Sequence, residues 1–244
     1  MANLLIWAHR GASRVAPENT LSAFYAAADA GADGLELDIQ LSRDGIPVVI
    51  HDETITRTTN GIGRVRDLSL RELQALDAGS WFSPEFAGEK VPTLSEVLEA
   101  FAGRLLLNLE IKAPRAGRVV LDLLSDWPQA KLLVSSFNWR LLAMLRHAAP
   151  GLPLAVLLES RCWLRALRVA RELSAVSVNP RCDQVGPLLL AACRRQGVPV
   201  TPWVVDQPQQ LERLNRAGVS GVFSNDPATL LSCRRHLPIS REMD

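Results

Sequence analysis

Short runs of strand-forming residues alternate with helix-patterned stretches along almost the whole chain, and no other feature restricts the fold as much. The strand candidates are LLIWAH (4–9), GLELDIQ (34–40), PVVIHD (47–52), LLLNLEIK (105–112) and KLLVSSF (131–137), followed by PLAVLLE (153–159), AVSVNP (175–180), PVTPWVV (199–205) and GVSGVFSN (218–225). Between them lie stretches with apolar residues three and four apart, such as 20–31, 94–103 and 208–218. Repeated strand–helix units call for a parallel sheet. Over 244 residues they favour a single TIM-type (β/α)8 barrel, whose chemistry collects at the C-terminal strand ends. An open doubly wound sheet is the alternative.

Two places break the repeat. Residues 34–52 hold two strand candidates with only LSRDGI between them, too little for a crossover helix. Arg43-Asp44-Gly45 is a turn signal, so either a hairpin forms or the segment crosses the barrel's height. Nine candidates for eight staves also leave one strand in excess. The second break is 53–92, rich in Thr, Gly, Asp and Ser, with a short helical stretch at 68–76 and the aromatics Trp81, Phe82 and Phe86. Forty residues are long for a barrel loop, so a small inserted cap subdomain after strand 3 is expected.

Composition excludes several functions. With 27 basic residues against 26 acidic ones, nothing marks a nucleic-acid binder. No run approaches the ~18 apolar residues of a membrane span, and Leu4 to Ala8 is too short for a signal-peptide core. Cys162, Cys182, Cys193 and Cys233 lack metal or disulfide spacing and read as packing thiols, which makes the cytoplasm the expected compartment. In SRCWLRALRVARE (160–172), Arg161, Arg165 and Arg168 fall at helical spacing; an amphipathic barrel helix with a solvated basic face is expected over a membrane-surface helix. A helix face could also pair two copies, though no stretch singles out a homodimer.

The polar residues that interrupt the apolar strands carry the chemistry. His9 and Arg10 end the first candidate, Glu36 and Asp38 share a face of the second, His51 and Asp52 end the third, and Glu110 and Lys112 share a face of the fourth. Three carboxylates in apolar surroundings repel one another unless a cation joins them, and an oxygen-only donor set suits a hard ion, Mg²⁺ or Ca²⁺. Ordinary ion pairing by Arg10 and Lys112 is the plainer reading. His9 and His51 suit an acid/base pair; as metal ligands they would favour zinc, which fits three carboxylates less well.

HRG (9–11), PENT (17–20), ELD (36–38), HD (51–52) and EIK (110–112) together closely resemble the glycerophosphodiester phosphodiesterase family. The likeness extends to RTTNG (57–61), DAGSWF (77–82), VPTLSEVL (91–98), SSF (135–137) and GVSGVFSNDP (218–227), in order over nearly the whole chain. The resemblance implies a TIM barrel with a small insertion after the third strand. It also implies a divalent cation on Glu36, Asp38 and Glu110, with His9 and His51 as general acid and base. Arg10 and Lys112 would then hold the phosphate. Trp203 and Phe137 either pack against the glycerol carbons or are ordinary rim aromatics, Glu18 either braces Arg10 or sits in the first helical turn, where an acid suits the dipole, and Asn19 or Thr20 caps that helix. The implied partner is a small glycerophosphodiester, cleaved to sn-glycerol 3-phosphate and an alcohol. Water or the substrate's own neighbouring hydroxyl could attack, and either histidine could be the acid. Two departures stand out. The family commonly ends its last motif with Thr-Asp, where this chain has Ser224-Asn225-Asp226, and commonly has Thr-Val-Asn after the late tryptophan, where this chain has Val204-Val205-Asp206.

Overall fold

The computed structural model describes residues 4–159 and 163–237. Seven strands run parallel: β1 (Leu5–His9), β2 (Gly34–Leu41), β4 (Leu106–Ile111), β5 (Leu132–Ser136), β6 (Leu154–Leu158), β7 (Ser177–Pro180) and β8 (Gly221–Ser224). Their order is β7-β6-β5-β4-β2-β1-β8, and β3 (Pro47–Val49) lies off this path, paired with β2. That pairing is antiparallel, Ile39 opposite Val49 and Leu41 opposite Pro47, so residues 34–52 form the hairpin and β3 is the strand in excess.

Residues 199–205 supply the eighth stave. Pro199 and Pro202 have no N–H to give, so no regular ladder forms there. The segment is nonetheless bonded on both sides. Thr201 N donates to Val178 O at 3.1 Å and Trp203 N to Pro180 O at 3.0 Å, on the β7 side. Ser220 N donates to Val200 O at 2.9 Å, and Phe223 N to Pro202 O at 2.9 Å, on the β8 side. These bonds close the sheet into a (β/α)8 barrel, in which a closed edge leaves no open ladder.

The connections are helical: α1 (Leu21–Asp29), α2 (Leu70–Gln74), α3 (Leu94–Phe101), α4 (Ala116–Leu124), α5 (Trp139–Ala148), α6 (Trp163–Glu172), α7 (Pro187–Arg195), α8 (Pro208–Arg216) and α9 (Pro227–Arg234). Local signals start them. Thr20 Oγ1 accepts from Ala23 N at α1, Thr93 and Glu96 form a capping box at α3, and Asp226 caps α9 ahead of Pro227. Gly11 allows β1 to meet α1 closely: its φ is +84°, and a Cβ there would lie 2.7 Å from Ala23. Helix α6 buries Ala166, Leu167 and Ala170, while Arg165 lies over the Trp139 ring and Arg168 pairs with Glu172. That is the expected barrel helix with a solvated basic face; Arg161 and Cys162 lie outside the described residues. Cys182, Cys193 and Cys233 are free thiols, and burial pushes Cys193 up to about 11. Among the described residues no helix is long and apolar enough to cross a membrane.

The layer between strands and helices holds Phe24 and Phe101, both fully buried, their rings 6.2 Å apart edge to face. Tyr25 adds a second ring 4.9 Å from Phe101. Phe101→Ala is expected to cost about 3–5 kcal/mol of unfolding free energy, read as a lower urea midpoint at unchanged slope.

Residues 53–92 rest on β3 through a separate apolar cluster of Val48, Ile50, Ile55, Val65, Leu73, Ala78 and Val91. Asp77 fixes the segment's far end by accepting from the backbone N–H groups of Gly79, Ser80 and Gly88 at 2.8–2.9 Å. The segment's contribution to the barrel mouth is Arg57, held over the C-terminal strand ends.

Candidate active site

Strand geometry brings the polar residues together. β1 and β2 pair with His9 opposite Glu36, and β2 and β4 pair with Asp38 opposite Glu110. Side chains two apart on a strand share a face, so Glu36, Asp38 and Glu110 all project inward at the C-terminal end. Each offers one carboxylate oxygen within 4.8 Å of the others, and all three residues are buried. His9, Arg10, Glu36, His51, Glu110, Lys112, Phe137 and Trp203 line one cavity of about 430 Å³, together with Asn108 and Glu159.

Two cations face the three acids. Lys112 Nζ lies 2.5 Å from Glu110 Oε1 and 3.3 Å from Asp38 Oδ1, and Arg10 Nε lies 3.3 Å from Asp38 Oδ2. Arg10 adopts a left-handed φ of 59°, uncommon for a residue with a Cβ. In that conformation its backbone N–H donates to Glu36 Oε2 at 3.0 Å. Its guanidinium donates to Glu18 at 2.8 Å, so the PENT glutamate is the brace expected of it. Asn19, next to it, does not cap α1; it donates to Asp38 Oδ2 at 2.8 Å and accepts from Asp38 N at 3.2 Å.

The charges are unevenly compensated. Burial works against ionised Asp38, yet Lys112, Arg10 and His51 hold its carboxyl below the usual range. Burial pushes Glu36 well above that range, with repulsion from Asp38 and Glu110 adding to it. Among the described residues Glu36 Oε1 has no hydrogen-bond partner despite being buried. Glu110 is pushed up to about 7, by burial first and by Asp38 second. A buried, under-neutralised cluster of oxygen donors is what a hard divalent cation requires. The three residues fit such an ion.

A pH prediction follows from Glu110. Its folded pKa of about 7 lies above the usual 4.5. Between those values the folded protein keeps a proton that the unfolded chain has released. The metal-free protein therefore loses on the order of 3 kcal/mol through this group as pH rises from about 4.5 to 7. His9 runs the other way: burial pushes it from 6.5 down to about 4, so its contribution to stability rises with pH across that interval. Glu110→Gln removes only the first effect. In metal-free protein its melting temperature is expected to gain on the native protein as pH rises through 7. Mg²⁺ should then stabilise the native protein and not the variant. Parallel melting curves at every pH would overturn the assignment.

The two histidines line the same cavity as Glu36 and Glu110. Burial, reinforced by Arg10, keeps the His9 ring neutral, and its Nε2 lies 3.9 Å from Glu36 Oε2. His51 Nδ1 sits 2.6 Å from Asp52 Oδ1. Arg57 clamps the same Asp52 at 2.7 and 3.2 Å, and its hydrogen bonds hold that carboxyl down to about 2. Arg57 also donates twice to Glu18, so one chain of ion pairs links His51 to Arg10. At the open side, Trp203 donates to Asn179 O at 2.9 Å and its ring stands edge to face with Phe137 at 5.7 Å. The Lys112 ammonium lies 5.7 Å from the Phe137 centroid.

Of the residues singled out from the sequence for this site, His9, Arg10, Glu36, His51, Glu110, Lys112, Phe137 and Trp203 line this cavity, while Asp38 and Glu18 lie behind it, paired with Arg10 and, for Asp38, with Lys112. Asp52 stood beside His51 in the sequence without a role assigned to it, and Arg57 was visible in the RTTNG motif without being placed at the site. Asn19 was visible in PENT as one of two candidate caps for α1, the other being Thr20.

The sequence model of the glycerophosphoryl diester phosphodiesterase family matches residues 9–229. A glycerophosphodiester phosphodiesterase of Caldanaerobacter subterraneus is 41% identical over 241 residues, covering 95% of this chain and 98% of that protein. Another from Bacillus subtilis is 34% identical, covering 92% and 84%. Among solved structures, an Oleispira antarctica phosphodiesterase in complex with the product sn-glycerol-3-phosphate superposes with a TM-score of 0.88 at 31% identity, covering 94% of this chain and 96% of that one. The chain belongs to the glycerophosphoryl diester phosphodiesterase family.

Proposed function

We propose that this enzyme hydrolyses glycerophosphodiesters to sn-glycerol 3-phosphate and an alcohol, with a divalent cation on Glu36, Asp38 and Glu110 and with His9 and His51 exchanging the protons. The observation that carries the reading is the convergence of two histidines, three acids, Arg10 and Lys112 on one cavity. The product bound in the Oleispira relative supports the same substrate class.

The phosphodiester is an anion and gains negative charge on its oxygens as the attacking oxygen approaches. Arg10 and Lys112 lie where they can hold that charge without reorganising, since Glu18 and Asp38 already fix Arg10 and Asp38 and Glu110 fix Lys112. Bound to the three acids, Mg²⁺ or Ca²⁺ would supply Lewis-acid stabilisation of the phosphoryl oxygens. His9 enters neutral and takes the proton of the attacking oxygen; His51, entering with a proton on each ring nitrogen, gives its Nε2 proton to the departing alkoxide. Phe137 and Trp203 offer apolar edges to the glycerol carbons.

Purified protein with Mg²⁺ or Ca²⁺ is expected to release sn-glycerol 3-phosphate from glycerophosphocholine, measured by a coupled glycerol-3-phosphate dehydrogenase assay. A panel of glycerophosphodiesters giving no turnover with either ion would overturn the substrate class.

A further inference from the structure

Beyond the acid/base pair itself, a second layer of residues decides which nitrogen of His9 faces the substrate. His9 Nδ1 lies 2.8 Å from Asn225 Oδ1. An amide could present either its oxygen or its NH2 to a ring nitrogen, and the two choices demand opposite tautomers. The surroundings of Asn225 remove that freedom. Its Nδ2 donates to Asp206 Oδ2 at 2.9 Å, and a carboxylate can only accept. Asp206 is itself fixed, because its Oδ1 accepts from Asn225 N at 2.8 Å and from Ser224 Oγ at 3.0 Å. Ser13 Oγ lies 3.0 Å from the same Asn225 Oδ1 and 2.9 Å from the His9 carbonyl oxygen, so its one hydrogen is shared between them and the Asp206 bond alone sets the amide's direction.

The chain of donors and acceptors has one consistent direction. Asp206 accepts from the Asn225 amide nitrogen, so the amide oxygen points at His9; the oxygen accepts, so His9 Nδ1 carries the hydrogen. The lone pair is then on Nε2, the nitrogen on the Glu36 side of the ring. We infer that Asn225 and Asp206 are positioning residues that lock His9 in its Nδ1–H tautomer, presenting Nε2 as a ready proton acceptor. The inference rests on the reading of His9 as the base.

This arrangement also accounts for both departures from the family's common motifs. Where the family commonly has an asparagine after the late tryptophan and an aspartate in the last motif, this chain has Asp206 and Asn225. Carboxylate and amide have changed places. Either change alone would break the chain of bonds: two facing amides offer too few acceptors for three donors, and two facing carboxylates leave no donor between them. Made together, the changes keep an acceptor against His9 Nδ1, and the acceptor here is neutral. Ser224 and Asp226 are accounted for as well, one donating to Asp206 and the other capping α9.

The experiment combines a spectroscopic readout with kinetics on the metal-loaded enzyme. In ¹⁵N-histidine-labelled protein, with His9 identified by comparison with His9→Gln, long-range ¹H–¹⁵N correlation is expected to show a protonated Nδ1 and an unprotonated Nε2. Asn225→Leu should lose that signature and lower kcat by ~10-fold or more, with KM changed less than about twofold. Asp206→Asn should do the same, because its new NH2 group competes with the donors of residues 224 and 225. The double exchange Asp206→Asn with Asn225→Asp should recover both the tautomer and most of the lost kcat. An Nε2–H tautomer in the native protein would overturn the inference without any variant having to fold. So would full activity in Asn225→Leu, or a double exchange no better than the worse single variant. The tautomer measurement stands even if no glycerophosphodiester is turned over, so failure of the relay and failure of the proposed activity are separable.

Discussion

Dialysis against a chelator is expected to reduce glycerophosphodiester turnover to background, and Mg²⁺ or Ca²⁺ to restore it. The expectation comes from an electrostatic imbalance. Glu36, Asp38 and Glu110 bring three buried carboxylates together, and among the described residues Lys112 and Arg10 are the lysine and arginine that pair with them. Burying a carboxylate without full compensation costs several kcal/mol. The protein meets this cost by raising Glu36 and Glu110 so that they tend to hold protons, which a bound divalent cation would displace. Glu36→Gln and Glu110→Gln remove charged oxygen donors while keeping the side-chain shape. Each is expected to lower kcat by ~10³-fold, a loss of several kcal/mol of transition-state stabilisation. Isothermal titration with Mg²⁺ should show the matching loss of affinity. Turnover that survives chelation would remove the cation from the reaction altogether.

The sequence carried much of this site, because the information was local. A histidine, a carboxylate or a lysine at the end of an apolar run is visible in one dimension, and a barrel gathers all such ends at one mouth. The spacing in ELD and EIK already put each pair on one strand face. What stayed hidden depends on closure of the sheet. Residues 199–205 form a stave only because β7 and β8 flank them, and Pro199 and Pro202 disguise the ladder. The hairpin at 34–52 competed with an extended crossing until β3 was seen to pair with β2. Asn19 and Thr20 are equally good caps by type; Thr20 is the cap, and Asn19 instead bonds to Asp38 across 19 residues of chain. Asp206 and Asn225 stood out only as departures from the family's motifs, whereas Asn225 contacts His9, 216 residues away in sequence, and Asp206 holds Asn225. Ligand-like residues are legible by type; the residues that aim them are legible only by contact.

The two histidines should separate cleanly when the leaving group is changed. On glycerophosphocholine the departing choline oxygen needs a proton, so losing either the base or the acid is expected to cost ~10²–10⁴-fold in kcat. With a p-nitrophenyl ester of glycerol phosphate, the departing phenolate is stable without a proton. Only the base still matters. His9→Ala should therefore lose comparable activity on both substrates, while His51→Ala should come within about tenfold of the native enzyme on the aryl ester. The assignment has a structural basis in the unequal partners of the two rings. Burial and Arg10 keep His9 neutral and able to accept a proton. His51 Nδ1 donates a hydrogen bond to Asp52, which Arg57 and through it Glu18 hold in place, so its Nε2 is the nitrogen left for the substrate. Aryl-ester rescue of His9→Ala instead of His51→Ala would exchange the two roles. Equal losses by both variants on both esters would mean that neither acts as the acid, and His51 would then be a ligand or a structural residue.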